Sequence, residues 1–279
     1  MTTVLVTGGS GRLGHHVVQA LLDAGAPARV LSRRERATGD PAVVDWRAAD
    51  LTSDRPEAVA ALAAACEGVD VIVHTAKGAG QTTTAAVEVQ GTARLLTAAR
   101  TAGVGHVVYI SIVGIETTPL PYYREKLAAE RLVRESAIPW SILRATQFHD
   151  YVGQMIADLT RFPVAVYPAG ASLQPVAVHE VARRLSEMAL AQPAGMAPDF
   201  GGPEVLPMGY LVRSWLRSRG MRRLVLPFPL PGAFGAAMRS GQQTSPQHRA
   251  GTQTWEEWLA QAAPAHLATT PSQPEGSHA

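Results

Sequence analysis

The sequence predicts an α/β protein built on a doubly wound parallel sheet, with a smaller lobe formed by the C-terminal part of the chain. Short apolar, β-branched runs alternate with helical stretches from Thr3 to Arg144, the pattern that parallel strands joined by right-handed crossovers produce. A glycine-rich turn joins the first run to the first helical stretch. At 279 residues the chain is long enough to bury a sizeable core and to carry a second lobe beside the sheet.

Thr3-Val4-Leu5-Val6 reads as the first strand. Thr7-Gly8-Gly9-Ser10-Gly11-Arg12-Leu13-Gly14 follows it, and His15 to Ala24 reads as a helix with apolar Val17, Val18, Leu21 and Leu22. Glycines in such a turn remove the Cβ atoms that would keep backbone N–H groups from a pyrophosphate, and a helix N-terminus favours negative charge. Its place directly after the first strand favours nucleotide binding over a plain connector. The second strand, Ala28 to Ser32, ends in Arg33-Arg34, where an NAD-preferring protein usually carries an acid for the ribose hydroxyls. Arginines there suit a 2′-phosphate, and Arg12 can add another cation, so NADP is the expected cofactor with NAD as the alternative. A solvated basic loop paired with Glu35 is the other account. Val43-Val44-Asp45-Trp46 leads to Asp50-Leu51, which holds the adenine edge or, alternatively, caps a helix begun near Asp54. Strands are expected near residues 3–7, 28–32, 42–46, 70–74, 106–111 and 140–144.

Only two lysines, Lys77 and Lys126, occur among the 25 basic residues, and Lys126 stands four residues after Tyr122. On a helix that spacing puts phenol and ammonium on one face. A cation beside the phenol is expected to lower its pKa and equip it to pass a proton to or from a carbonyl oxygen. Lys77 follows the fourth strand in Thr75-Ala76-Lys77-Gly78, a loop expected near the cofactor, although a lone lysine there is more often solvated.

These motifs, with Val71-Ile72-Val73-His74-Thr75-Ala76, Gly91-Thr92 and Tyr109-Ile110-Ser111, resemble the atypical or extended short-chain dehydrogenase/reductases, close to their NmrA-like, NAD(P)H-binding branch, over nearly the whole chain. The resemblance implies a Rossmann-type fold with Thr7 to Gly14, Arg33, Arg34, Asp50, Leu51, Thr75, Ala76 and Lys77 around the cofactor. It also implies that Ser111 holds the substrate oxygen, that Tyr122 is the acid/base and that Lys126 binds the nicotinamide ribose. One segment departs from the family. Val-Asn-Val-x-Gly-Thr reads Val87-Glu88-Val89-Gln90-Gly91-Thr92 here, and the chain contains no asparagine. A proton relay through that asparagine is therefore in question, and Glu88 is read as facing solvent rather than replacing it.

Substrate is expected outside the carboxyl ends of the strands, which makes Gln147, Phe148 and His149 a pocket wall unless their segment begins a helix capped by its polar groups. Residues 1–145 are expected to form the dinucleotide-binding domain and 146–263 the second lobe. Within the latter, 174–192 returns to the first domain as a strand and a helix, with His179 at the helix entry. Val225 to Met238, apolar but broken by Pro227, Pro229 and Pro231, reads as a loop or lid. Phe162, Trp215, Phe228, Phe234 and Met238 supply core or pocket surface. A pocket so built suits an apolar carbonyl or quinone better than a sugar nucleotide, for whose diphosphate Arg213, Arg217 and Arg219 would be the clamp if they were not simply on a helix surface. Residues 264–279 lack apolar periodicity and are expected to be disordered.

A net charge of +2 with basic residues scattered singly or in pairs argues against nucleic acid. Cys66, the single cysteine, excludes an intrachain disulfide and reads as a buried structural thiol in an alanine-rich helix. The sequence reads without a leader ahead of the first strand, so none is expected, and no apolar run approaches a membrane span. The expectation is a cytoplasmic monomer or homodimer that takes a small-molecule substrate and has no nucleic acid, membrane or metal partner. Its expected function is NADP-dependent hydride transfer to or from a small, largely apolar carbonyl, enone or quinone. A non-catalytic, NAD(P)-sensing regulator of the NmrA type is the alternative, followed by a nucleotide-sugar epimerase or dehydratase and a respiratory-complex accessory subunit.

Overall fold

The structure, a computed structural model, describes residues 1–33, 44–78 and 85–262. Arg34 and the tail 264–279 lie outside the described residues. The chain begins with β1 (Val4–Thr7), α1 (Arg12–Asp23), β2 (Ala28–Ser32), β3 (Asp45–Ala48), α2 (Pro56–Cys66) and β4 (Val71–His74). A π-helical turn (Ala86–Gly91) then runs into α3 (Thr92–Thr101), followed by β5 (His106–Ile112), α4 (Pro121–Glu135) and β6 (Trp140–Ala145). Beyond β6 come α5 (His149–Leu159), β7 (Val164–Pro168), β8 (Ser172–Leu173), α6 (Val178–Ala189), β9 (Gly195–Met196) and β10 (Leu206–Pro207). The described part ends with α7 (Met208–Ser218), β11 (Leu224–Phe228), α8 (Gly232–Arg239) and α9 (Trp255–Gln261).

The main sheet is parallel throughout, in the order β3-β2-β1-β4-β5-β6-β9, a Rossmann-type arrangement. Five of its six longer strands stand where the sequence places them; β3 runs from Asp45 to Ala48, later than the expected 42–46, of which 42 and 43 lie outside the described residues, and the two-residue β9 is too short to leave an apolar run. Alternation along the strands builds two cores. Val4, Val6, Val30, Val73 and Val108 pack with α1 and α6 on one face. Leu5, Leu31, Ile72, Tyr109 and Ile142 pack with α2, α3 and α4 on the other, and each such fully buried aliphatic side chain contributes about 1.5–3 kcal/mol. Cys66 belongs to this second core, and burial pushes its thiol up to about 11. Proline occupies the first turn of α2 and of α4, where its missing N–H is no loss.

A third core, with Val152, Ile156, Leu211, Trp215, Met238 and Trp255, fills the second lobe. Three expectations change here. The stretch read as a loop or lid contains β11, which pairs in parallel with β7, and α8. Pro227 is tolerated because a two-stranded sheet consists of edges. Phe162 and Phe228, expected in a core or pocket, are 66% and 49% exposed. Gln174 to Ala177 returns without joining the main sheet; Val176 only bridges to Phe148, and His179 sits at the entry of α6. Among the described residues no helix is long and apolar enough to cross a membrane.

Candidate active site

The glycine turn folds as its residue types require. Gly8 has φ +71°, and a Cβ there would come within 2.8 Å of the Ala76 backbone. At Gly14 a Cβ would stand 2.3 Å from the Gly8 carbonyl oxygen. Gly11 is the N-cap of α1 and has no side chain to satisfy the first N–H groups of the helix. Those donors and the bare backbone fit a pyrophosphate. Gly14→Ala is expected to cost about 1–3 kcal/mol of stability, because backbone atoms cannot yield to the methyl group. It should also weaken dinucleotide binding about tenfold or more; urea unfolding and a fluorescence titration with NADPH check both.

Around this turn several expected cofactor residues carry structural bonds. Thr7 is fully buried, its hydroxyl 2.6 Å from His74 Nδ1 and accepting from the Ala76 N–H at 3.3 Å, so it shapes the turn from beneath. Thr75 donates its hydroxyl to the Thr7 carbonyl. Ser10 lies 3.2 Å from the Ser32 hydroxyl, and Leu13 and Gly9 pack inward, a Cβ on Gly9 meeting Val30. Arg33 is exposed at the end of β2. Arg12 pairs with Asp150 at the start of α5, 3.2 Å away, and so links the turn to the second lobe. Asp50 does not cap α2, whose N-cap is Arg55; it accepts from the N–H and hydroxyl of Thr52. Burial opposes its charge, but those bonds, with Arg33 and Arg94 nearby, hold the carboxyl below its usual range. Leu51 is a core residue.

Lys126 and Glu88 form the centre of the site. Lys126 Nζ donates to the Tyr109 hydroxyl and the Ile110 carbonyl, each at 2.9 Å, and lies 3.2 Å from Glu88 Oε2. The ammonium thus has a partner for each of its three N–H bonds. Tyr109 in turn donates to Glu88 at 3.1 Å. Glu88 is completely buried, which corrects the expectation of a solvent-facing side chain. The reason is local: a π-helical turn carries more residues than an α-helical one and changes which positions face the sheet, here Val87, Glu88 and Gly91.

Tyr122 stands one helical turn before Lys126, as its spacing requires, but its pKa moves opposite to expectation. Burial raises it first and the Glu88 carboxylate raises it further, so the phenol stays protonated well above neutrality. Among the described residues, Glu88 Oε1 has no donor at normal hydrogen-bond distance. The exposed Lys77, read as solvated, has its ammonium 5.3 Å from the centre of the Tyr122 ring. Ser111 lies two residues after Tyr109 on β5 and so shares its face, toward α4. Its hydroxyl is buried and has no hydrogen-bond partner among the described residues.

The expected pocket wall is a correction. Gln147 is locked between the Gln243 carbonyl and the Gln174 N–H, Phe148 packs on the first core, and His149 is 1% exposed. The His149 ring stacks on Trp258 and Trp255, at 5.8 and 6.0 Å, because the segment begins α5 and turns inward. Burial lowers its pKa from 6.5 to about 4, and neither ring nitrogen has a hydrogen-bond partner among the described residues. The unfolded chain therefore binds a proton near pH 6.5 that the folded chain refuses until about pH 4. Stability is full above that window and falls through it, by about 3 kcal/mol for this residue. His149→Phe should remove that part of the acid loss, measured as urea midpoints at pH 7 and pH 4.5. A cavity of about 620 Å³ in the second lobe, lined by Tyr167, Ser172, Tyr210 and Arg213, includes none of Ser111, Tyr122 and Lys126. Arg217 lines the same cavity as Arg213, which also donates to the Gly209 carbonyl, whereas Arg219 donates to the Ala262 carbonyl.

The fold and the glycine cradle define a Rossmann-type dinucleotide-binding protein. The chain belongs to the NAD(P)H-binding family, whose sequence model matches residues 8–161. This bears out the resemblance read from the motifs. The (4-alkanoyl-5-oxo-2,5-dihydrofuran-3-yl)methyl phosphate reductase of Streptomyces griseus is 31% identical over 52% of this chain and 48% of its own. Quinone oxidoreductase 2 of Escherichia coli is 25% identical over 50% of this chain and 47% of its own. The chain thus spans less than half the length of these relatives. Among solved structures, the NADPH-dependent quinone oxidoreductase of Escherichia coli complexed with NADPH superposes with a TM-score of 0.74 at 17% identity, covering 92% of this chain and 99% of that one. Triphenylmethane reductase of Citrobacter sp. complexed with NADP(H) gives 0.73 at 20% identity, covering 94% and 100%. At such identities the structural likeness speaks to the fold.

Proposed function

We propose that the protein is an NADP-dependent oxidoreductase acting on a small, largely apolar carbonyl, enone or quinone. The observation that carries this is the buried hydroxyl of Ser111, without a hydrogen-bond partner among the described residues, on the same face of β5 as Tyr109, to whose hydroxyl Lys126 of α4 donates. When bound, the nicotinamide would supply the hydride. Ser111 Oγ holds the substrate oxygen, and Tyr122 Oη gives it a proton. Burial and Glu88 keep that phenol protonated, so the proton is present to be given, while the raised pKa makes it a weaker acid than a free phenol. The exposed Arg33 at the end of β2 supports the NADP preference. NADPH consumption against a panel of quinones, enones and aldehydes, with Tyr122→Phe alongside, tests the reading.

One observation favours a second reading, an NAD(P) sensor without chemistry. The Lys126 ammonium is already fully bonded to Glu88, Tyr109 and Ile110, so the ribose contact implied by the family resemblance requires breaking one of those bonds. NADPH binding without turnover of any compound would select the sensor.

A further inference from the structure

The two-stranded sheet of the second lobe turns an apolar face to solvent. Val164, Val166, Leu224, Leu226 and Phe228 are 42–58% exposed, and the parallel register sets Val164 beside Leu224 and Val166 beside Leu226. Period-two alternation puts Ala165, Tyr167 and Val225 on the opposite face, against the third core. Phe162, just before β7, extends the exposed face. Contiguous exposed apolar rows of this kind mark a surface that meets something else.

Charge says what that is. β7 and β11 contain no acidic residue, and from Val205 to Trp255 the chain carries seven arginines and neither aspartate nor glutamate. Because the strands run parallel, the residues preceding them gather at one end: Arg161 before Phe162, and Arg222 and Arg223 before Leu224. Arg223 donates to the Thr160 carbonyl at 3.4 Å, which fixes that end. Among the described residues, Asp158 is the one carboxylate paired with this group, 3.3 Å from Arg161. A second copy would bring the same apolar rows and the same arginines, with no acid on either strand. An anionic bilayer supplies both the apolar phase and the missing counter-charge.

We propose that this face is a peripheral docking surface for an anionic membrane, with the apolar rows at the headgroup boundary and Arg161, Arg222 and Arg223 on lipid phosphates. It is independent of the substrate the site takes, and it involves no spanning segment. Flotation of the full chain with vesicles of phosphatidylcholine and phosphatidylglycerol, compared with phosphatidylcholine alone, tests it. Binding to the anionic vesicles that weakens with added salt is expected. Arg222→Ala should weaken it roughly fivefold. Leu226→Asp should abolish it with an unchanged thermal midpoint, since that side chain is 43% exposed and opposes no core residue. Failure of the folded wild type to float, or equal flotation with neutral vesicles, overturns the proposal. A stable dimer that Leu226→Asp splits overturns it as well and gives the face to a second copy.

Discussion

The Tyr122→Phe variant is expected to turn over NADPH about 10²–10⁴-fold more slowly than the wild type while binding it with unchanged affinity. Phenylalanine keeps the ring under Lys77 and beside Tyr123, so the variant removes a proton donor and leaves the packing in place. The fall should appear in kcat, because the proton moves only in the reacting complex. The wild-type pH profile carries the same information. Burial and Glu88 hold the Tyr122 pKa above its ordinary value of 10, so this phenol should cause no alkaline loss of activity between pH 7 and pH 10. Undiminished turnover in the variant would remove Tyr122 from the chemistry, and an alkaline limb that vanishes in the variant would mean a phenol pKa lowered after all.

Lys126→Met is expected to destabilise the fold by about 3–5 kcal/mol at neutral pH. The lysine and Glu88 side chains are 5% and 0% exposed, and removing the cation strands a carboxylate that water cannot reach. The double variant Lys126→Met with Glu88→Leu should recover most of that loss, since it removes both charges from the interior. Urea unfolding of the two single variants and the double variant gives the coupling directly. A Lys126→Met protein as stable as wild type would show that Glu88 is not held there as a charge. Turnover of the recovered double variant separates the two readings of Lys126: retained activity would mean that the ammonium serves the fold alone.

The legible part of the site is local. Gly8, Gly11 and Gly14 could be read because a tight turn at the head of a helix has few solutions, and the structure adopts the expected one. Tyr122 and Lys126 could be paired because helical spacing alone puts them on one face. Glu88 could not be placed, because its inward position depends on a π-helical turn that leaves no distinct residue signature. The one available hint was its occurrence where the resembled family carries asparagine. His149 looked like a substrate contact from its place after β6, yet three-dimensional packing turned it onto Trp255 and Trp258, which are more than a hundred residues away in sequence. Pro227 concealed β11, since proline argues against a strand except at an edge.

By itself the sequence determined the parallel α/β architecture, the glycine cradle and the one-turn spacing of Tyr122 and Lys126 on α4, because strand and helix periodicity and turn chemistry are properties of neighbouring residues. Only the tertiary structure decided that Glu88 takes up Lys126, that the Tyr122 phenol is raised rather than lowered, and that an apolar sheet face in the second lobe looks outward. These depend on which groups distant in the chain come within a few ångströms, and both a pKa and a surface follow from that proximity.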